Sequence, residues 1–418
     1  MRLLFLLPQN VIGGGVLTVY NHSKFLNENG YTVDISYIDY VEGRDKYLLK
    51  EYNLVYKPFN EIQKDKFYDV VFATWWETLY EIIKIPSNYY FYYIQDDERR
   101  FYEENSSAKI NLCELTYLFP NVGKIVVANW LKELLISLNK DQYIKVCPNG
   151  FESEYFYPSQ AKNQNDKLKI LIEGPGKVWF KRINSCFEAI KDIEGIEVWF
   201  VSRDGFVDEN WKIDKYFENV TRTQMGDIYR SCDVLLKMSE VESFCLPNLE
   251  MMACGGTIVT TNFTGHEEYA VNNYNSIVIS INDINEAKEA IISLTKDFSL
   301  LDSLKKNAII KSKEMNWNIQ SRKFKDSLED LINDFDNVDF ESTKKEIKNI
   351  SLIKAELENL VEENKSIFHK YNSLFKQHHR IEYSVFRFLG KIIYKIPVLN
   401  NILKILFLKI SKRRNAHY

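Results

Sequence analysis

Ser239–Glu250, read S-E-V-E-S-F-C-L-P-N-L-E, sets two carboxylates, Glu242 and Glu250, around the start of a helix. Pro247 suits a first helical turn, where its missing N–H costs no hydrogen bond. Glu250 falls one turn into L-E-M-M-A, and Glu242 on the loop before it. The unpaired N–H groups around Phe244, Cys245 and Leu246 offer an anion site. A diphosphate lying on that helix end has a carboxylate facing each end of the bound molecule. Glu250 can then accept both hydroxyls of a ribose diol, with Glu242 on the sugar side. Two surface glutamates at a helix N-terminus, favoured there by the dipole, are the bland alternative.

The bulk numbers bound the problem. At 418 residues the chain suits two domains plus extras. A net charge of −4 gives no global argument for nucleic acid. That balance is uneven, because Ile381–Tyr418 carries eight Lys/Arg and one Glu, or +7. The six cysteines form no C-x-x-C pair and lie in apolar segments, as reduced thiols used as small hydrophobes do. The histidines form no zinc pattern. M-R-L-L-F-L-L-P ends at Pro8 and reads as a first strand, not a signal peptide. No run of 18 apolar residues predicts a membrane-spanning helix.

Along the chain, short apolar runs alternate with helical patterns. Leu3–Leu7, Thr32–Ile38, Asp69–Ala73, Tyr89–Ile94 and Lys124–Ala128 read as strands, with a helix over Val16–Asn29. A polar linker at Pro158–Lys167 comes after V-C-P-N-G-F, and the alternation restarts at Leu168–Ile172. The pattern predicts an α/β chain of two Rossmann-like domains, residues 1–157 and 168–335, facing a cleft at the carboxyl ends of their sheets. Residues 341–380 read as a long helix with Ile350, Ile353, Leu357, Leu360, Asn364, Ile367, Tyr371 and Leu374 on one seam. That seam fits either a homo-oligomeric or partner-binding coiled coil, or a single helix packed on the body. Residues 381–418 form a basic amphipathic tail broken at Pro397. It fits an interfacial segment on an anionic membrane, with a helix docked on the protein as the alternative.

From Glu242 to Gly255 the chain reads E-S-F-C-L-P-N-L-E-M-M-A-C-G. This resembles the E-x7-E signature of retaining GT-B glycosyltransferases of family 4, whose usual form is E-G-F-G-L-P-x-L-E-A-M-A-x-G. The resemblance covers roughly residues 1–330. It implies transfer of a sugar from a nucleotide-diphosphate donor, with no cofactor beyond that donor substrate and no metal. It also implies a lysine and an arginine on the diphosphate. Lys181, in G-P-G-K-V-W-F-K-R-I-N-S, matches the lysine; Pro175 and Gly176 stand where the arginine belongs, Lys177 is the nearest replacement, and Arg182 takes the place of a glycine. Gly13, Gly14 and Gly15 match a loop that borders the diphosphate, where a missing Cβ permits close approach. Gly265 and Glu268 match the family's G-G-x-x-E segment, and V-S-R-D-G at 201–205 is a weaker match near the base.

On these grounds Glu242 and Lys181 are the expected catalytic pair. Gly14, Gly15, Lys177, Lys181, Phe244, Cys245, Leu246, Glu250 and Glu268 are the expected donor contacts. Y-Y-I-Q-D-D-E-R-R-F-Y at Tyr92–Tyr102 looks like a stretch of rhamnosyltransferases that build polyrhamnan surface glycans. It puts Gln95, Asp96 and Glu98 on the acceptor side, against a glycan or lipid-linked acceptor. The implied setting is cytoplasmic, peripheral on the inner face of the membrane. Many family members carry a histidine after the strand that here reads D-V-V-F-A-T, so no general base is assigned there. Asp334-Phe335-Asp336 spells D-x-D but reads as solvated linker. Two alternatives of other classes stand beside this reading. One is a catalytically silent scaffold. The other is a nicotinamide oxidoreductase, on the loose Gly13-x-Gly15…Asp34 spacing.

Overall fold

The computed structural model describes residues 1–65, 67–102, 107–119, 121–140, 142–158, 167–335, 340–352, 354 and 355. The strands of the first half are β1 (Arg2–Gln9), β2 (Thr32–Asp39), β3 (Val55–Tyr56), β4 (Tyr68–Ala73), β5 (Ser87–Ile94), β6 (Gly123–Val126) and β7 (Ile144–Val146). Between them run α1 (Gly14–Glu28), α2 (Lys46–Glu51), α3 (Phe59–Asp65), α4 (Trp76–Ile82), α5 (Ser107–Leu118) and α6 (Asn129–Leu138). The second half supplies β8 (Leu168–Glu173), β9 (Ile196–Ser202), β10 (Lys215–Glu218), β11 (Val234–Lys237), β12 (Thr257–Thr261) and β13 (Ile277–Ile279). Its helices are α7 (Ile183–Ile190), α8 (Arg222–Ser231), α9 (Leu246–Ala253), α10 (Ile284–Lys296) and α11 (Phe298–Lys313), with α12 (Trp317–Phe335) after them.

The strands form two parallel sheets, ordered β3-β2-β1-β4-β5-β6-β7 and β10-β9-β8-β11-β12-β13. Parallel strands need crossover helices, and those helices bury both faces of each sheet. The apolar residues of the second sheet alternate accordingly. Ile170, Ile172, Val198, Phe200, Val234 and Leu236 enter one core, while Leu171, Trp199, Val201 and Leu235 enter the other. Each strand order reverses between the first strand and the fourth, at β1/β4 and at β8/β11. Loops leaving those strand ends splay apart and open a crevice.

The chain crosses between the two bodies twice. Phe151 N–H donates to Met315 O at 3.1 Å and Trp317 N–H to Phe151 O at 3.1 Å, which straps the two crossings together. A Cβ on Gly150 would come within 2.8 Å of the Trp317 nitrogen, so only glycine fits there. The second crossing corrects the expected boundary at 335. Helix α12 leaves the second body and packs Phe324, Leu328, Leu331 and Phe335 into the first core. His22 of α1 fixes that return. Its Nδ1 lies 3.0 Å from Ser321 Oγ and its Nε2 3.2 Å from Tyr93 Oη, while its ring stacks on Phe324. Burial lowers this imidazole to about 3, so it is held neutral.

Two further expectations change. Phe335 of the D-x-D spelling is buried in the first core, and Asp334 lies 3.3 Å from Lys145, so this segment is a helix end and not a solvated linker. The helix expected from 341 begins against the body: Phe340 stacks on Tyr90, and Ile347 and Ile350 are buried in the first core. The seam's first member therefore faces the protein itself. The seam from Leu357 onward and the basic tail 381–418 lie outside the described residues. All six cysteines are free thiols and buried. Among the described residues no helix is long and apolar enough to cross a membrane.

Candidate functional site

Helix α9 begins where the spacing predicts, with Cys245 before it in a left-handed conformation (φ 63°, ψ 79°) and Pro247 in its first turn. Its opening N–H groups have no intrahelical acceptors, which makes that end electropositive. Around it the second body gathers its charged groups. Lys181 closes a 3-10 turn, Trp179–Lys181, that is tied to the α9 loop by Glu240 N–H donating to Phe180 O at 2.8 Å. Lys181 Nζ then donates to Glu242 Oε1 at 2.7 Å, and Ser239 Oγ donates to the same oxygen at 3.0 Å. Burial would raise the Glu242 carboxyl, but Lys181 and Lys237 outweigh it and hold the group below its ordinary range. Glu250 stands at the other end of the helix turn, where Tyr229 Oη donates to its Oε2 at 3.2 Å. Burial, with Glu152 and Glu173 nearby, pushes this carboxyl up to about 8.

The sequence missed a second lysine in this cluster. Lys237, 2 % exposed inside β11, donates to Glu173 Oε2 at 2.7 Å and to Glu173 O at 2.8 Å. Burial alone would lower its pKa; Glu173 overcomes this and keeps it raised. The signal was present, because a lysine inside the apolar run V-L-L-K-M is rarely buried without a carboxylate partner.

The remaining expected residues divide between the two walls of the crevice. Gly14 and Gly15 form the first turn of α1, not a free loop. A Cβ on Gly14 would meet Leu246 Cδ1 at 3.7 Å, so this turn faces the start of α9 across the crevice. Gln95 lies against Gly15 and donates from Nε2 to Gly15 O at 3.2 Å. Asp96 comes next, with Oδ1 accepting from Asp97 N–H at 2.7 Å. Lys177 is exposed; Asp204 Oδ2 accepts its N–H at 3.0 Å, and its Nζ lies 5.7 Å from the Phe206 ring centre. Asp204 thus braces the loop after β8 from the V-S-R-D-G segment. Arg182 stands in a left-handed conformation (φ 53°, ψ 34°), one that favours glycine, at the position where the resemblance has glycine.

One expectation, Glu98 on the acceptor side, is corrected by its surroundings. Glu98 does not face the cleft: it is 1 % exposed and accepts from Trp76 N–H and Tyr92 Oη, each at 2.6 Å. It caps α4 from inside the first body, where burial raises its pKa well above the ordinary range. Glu268 reaches across the crevice to the first body. Its Oε1 accepts from Asn129 N–H at 2.5 Å and Asn129 Nδ2 at 3.1 Å, at the start of α6. Asp34 of the loose dinucleotide spacing is buried and takes Arg2 Nη2 at 2.6 Å and Tyr68 Oη at 2.9 Å. It is not presented to a ribose.

Contacts between the bodies flank the site on both sides, and none was legible beforehand. At the Glu242 end Trp130 Nε1 donates to Ser243 O at 3.1 Å, and Arg100 Nη1 to Thr264 Oγ1 at 2.8 Å. Thr264 Oγ1 donates to Glu242 O at 3.0 Å. Gly265 permits this approach: with φ 88°, a Cβ there would lie 1.9 Å from Ser243 O. At the Glu250 end Arg222 of α8 meets Glu152 and Tyr52, and its Nη2 lies 3.4 Å from Glu51. Among the described residues no group of three His, Cys, Asp or Glu side chains could hold a metal ion. A hollow of about 500 Å³ lined by Asn262, His266 and Glu286 belongs to the second body's β12–β13 side, away from this cluster.

Comparison with known proteins bears on the same half of the chain. Residues 214–311 match the family model described as "Glycosyl transferases group 1". The chain is 28% identical over 211 residues to an uncharacterized glycosyltransferase of Methanocaldococcus jannaschii, which spans 48% of this chain and 58% of that relative. The chain thus matches somewhat over half the length of this curated relative. Its fold is similar to Anabaena HepE solved with UDP-glucose (TM-score 0.64, 14% identity, 79% of this chain and 100% of that one). It is also similar to a sucrose-phosphate synthase of Thermosynechococcus elongatus (TM-score 0.63, 14% identity, 80% and 99%) and to a glycosyltransferase of Rickettsia africae (TM-score 0.62, 16% identity, 81% and 99%). Residues 214–311 carry the group 1 glycosyltransferase pattern, on a chain whose two parallel-sheet domains fold as GT-B glycosyltransferases do.

Proposed function

We propose that this protein transfers a sugar from a nucleotide-diphosphate donor to a hydroxyl of a growing cell-surface polysaccharide or lipid-linked glycan, with retention at the anomeric carbon. The observation that carries the reading is the Lys181–Glu242 pair at 2.7 Å beside the start of α9, with Glu250 one turn further and Gly14 opposite. The diphosphate lies against the start of α9, and Lys181 turns from Glu242 onto the leaving phosphate. Fixed positive groups in a water-poor site stabilise such a developing charge best. This division of charge needs no metal ion. Glu250 accepts the ribose hydroxyls, and Glu242, released from its lysine, steadies the developing cation at the anomeric carbon. Gln95 and Asp96 face the acceptor.

Rhamnose as the sugar rests on the Y-Y-I-Q-D-D-E resemblance. The basic segment 381–418 anchors the protein to the inner face of the cell membrane, and the seam beyond Leu357 mediates self-association or partner binding. A thermal-shift series with UDP-, GDP- and dTDP-sugars tests the reading. One class of donor should raise the melting temperature progressively as its concentration passes its dissociation constant. No response to any of them, with a positive response to NAD, would reverse the assignment. Deleting 381–418 should weaken binding to anionic vesicles while leaving donor binding intact.

A further inference from the structure

We propose that Thr264 is a positioning residue that makes the placement of Glu242 depend on the docking of the first body. This rests on the transferase reading above and deepens it. Thr264 follows β12 and stands where the resemblance has the first glycine of G-G-x-x-E. Glycine has no side chain to offer there. Threonine brings a hydroxyl, which can accept and donate at the same time.

Both capacities are used, on opposite sides of the crevice. Thr264 Oγ1 accepts from Arg100 Nη1 of the first body at 2.8 Å and donates to the Glu242 carbonyl of the second body at 3.0 Å. The next carbonyl, Ser243 O, takes Trp130 Nε1 of the first body directly at 3.1 Å. Two successive peptide groups are therefore tied to the first body, and the one at Glu242 is tied through Thr264. The Glu242 carboxylate is held from its own body, by Lys181 and Ser239. Docking of the first body thus reaches Glu242 through its backbone and not through its side chain.

The first-body half of this link is firmly seated. Arg100 lies in the 3-10 turn Glu98–Phe101, whose Glu98 is locked in the core by Trp76 N–H and Tyr92 Oη. Its guanidinium carbon lies 4.4 Å from the Trp130 ring centre, so Trp130 supports the arginine and also supplies the neighbouring bond. When the bodies part, Arg100 and Trp130 leave together. The Thr264 hydroxyl then loses its cationic partner, and Ser243 O loses the indole. A catalytic group misplaced by about 1 Å can cost on the order of 10² in rate. Glu242 is held in its working position while the crevice is closed, and Thr264 is the joint that transmits closure to it.

The test uses the full chain and a UDP-, GDP- or dTDP-sugar chosen by thermal shift, with water as acceptor. Nucleoside diphosphate release gives kcat, and tryptophan fluorescence in stopped flow gives donor dissociation. Thr264→Val keeps the side-chain shape and removes the hydroxyl. It should lower kcat about 3–10-fold and speed donor dissociation by a similar factor, the scale of one hydrogen bond, with the melting temperature of the free protein unchanged. Thr264→Gly should match it in both rates, and Thr264→Ser should restore both. In donor dissociation, Arg100→Ala combined with Thr264→Val should do no more than the larger single change, because each breaks the same link. Wild-type kcat and dissociation in both hydroxyl-free variants would overturn the proposal and leave the transferase reading standing. Failure of Thr264→Ser to restore the rates, or effects of Arg100→Ala and Thr264→Val that multiply, would overturn it in the same way. If the wild type neither binds nor turns over any nucleotide-sugar, both readings fall.

Discussion

Two loops at the mouth of the crevice, Ser239–Glu250 after β11 and Gln95–Tyr102 after β5, each carry three acidic residues but use them differently. In the first, Glu242 and Glu250 both belong to the polar cluster at the start of α9. In the second, Gln95 lies against Gly15 on the crevice side while Glu98 turns inward to hold Trp76 and Tyr92. The path of the chain beyond each strand makes the difference. After β11 a proline-started helix runs on from the loop with no side-chain cap on its first turn. After β5 the chain folds straight into a 3-10 turn, Glu98–Phe101, whose first residue lies under the start of α4. Acidity near a strand end therefore does not distinguish a ligand contact from a structural cap.

Four substitutions sharpen this contrast. Glu242→Gln should fold as the wild type and lose transfer by about 10² or more, the scale of one electrostatic stabiliser; wild-type turnover would remove Glu242 from the chemistry. Glu98→Ala should do the reverse. It leaves the Trp76 N–H and Tyr92 hydroxyl without an acceptor and should cost about 2–4 kcal/mol of stability by denaturant titration. Its donor affinity in the cold should stay unchanged; a selective loss of affinity would return Glu98 to the crevice.

Gly265→Ala tests the bridge between the loops. Its left-handed backbone costs an alanine about 1–2 kcal/mol, and its Cβ meets Ser243 O. Stability should fall by at least that amount, with weaker donor binding because the bodies are pushed apart. Arg100→Ala, which removes one exposed contact to Thr264, should change stability by less than about 1 kcal/mol. It should show chiefly as faster donor dissociation in stopped flow.

The pairing of Lys181 with Glu242 bears on the proposed chemistry. The half-buried lysine and glutamate lie 2.7 Å apart, and Lys181 with Lys237 holds the Glu242 carboxyl below its ordinary range. In the proposed function an entering diphosphate competes for the lysine and frees the glutamate where a cation develops, so one binding event would prepare both groups. Neither residue's type alone conveys that coupling, because it depends on the 3-10 turn being tied to Glu240.

By itself, the sequence determined the two parallel sheets, the helix start at Pro247 and the neighbourhood of Lys181, Glu242 and Glu250. These come from local rules: apolar runs of strand length, glycines and prolines at turns, and spacing along one short loop and helix. The return of α12 to the first body, the inward turn of Glu98, the buried Lys237–Glu173 pair and the Asn129–Glu268 and Trp130–Ser243 contacts were decided only by tertiary structure. Each joins groups far apart in the chain, or separates near neighbours onto opposite sides of a layer. No local periodicity encodes which distant surface a residue meets. That choice is made when the sheets stack their helices and the buried polar groups find their partners.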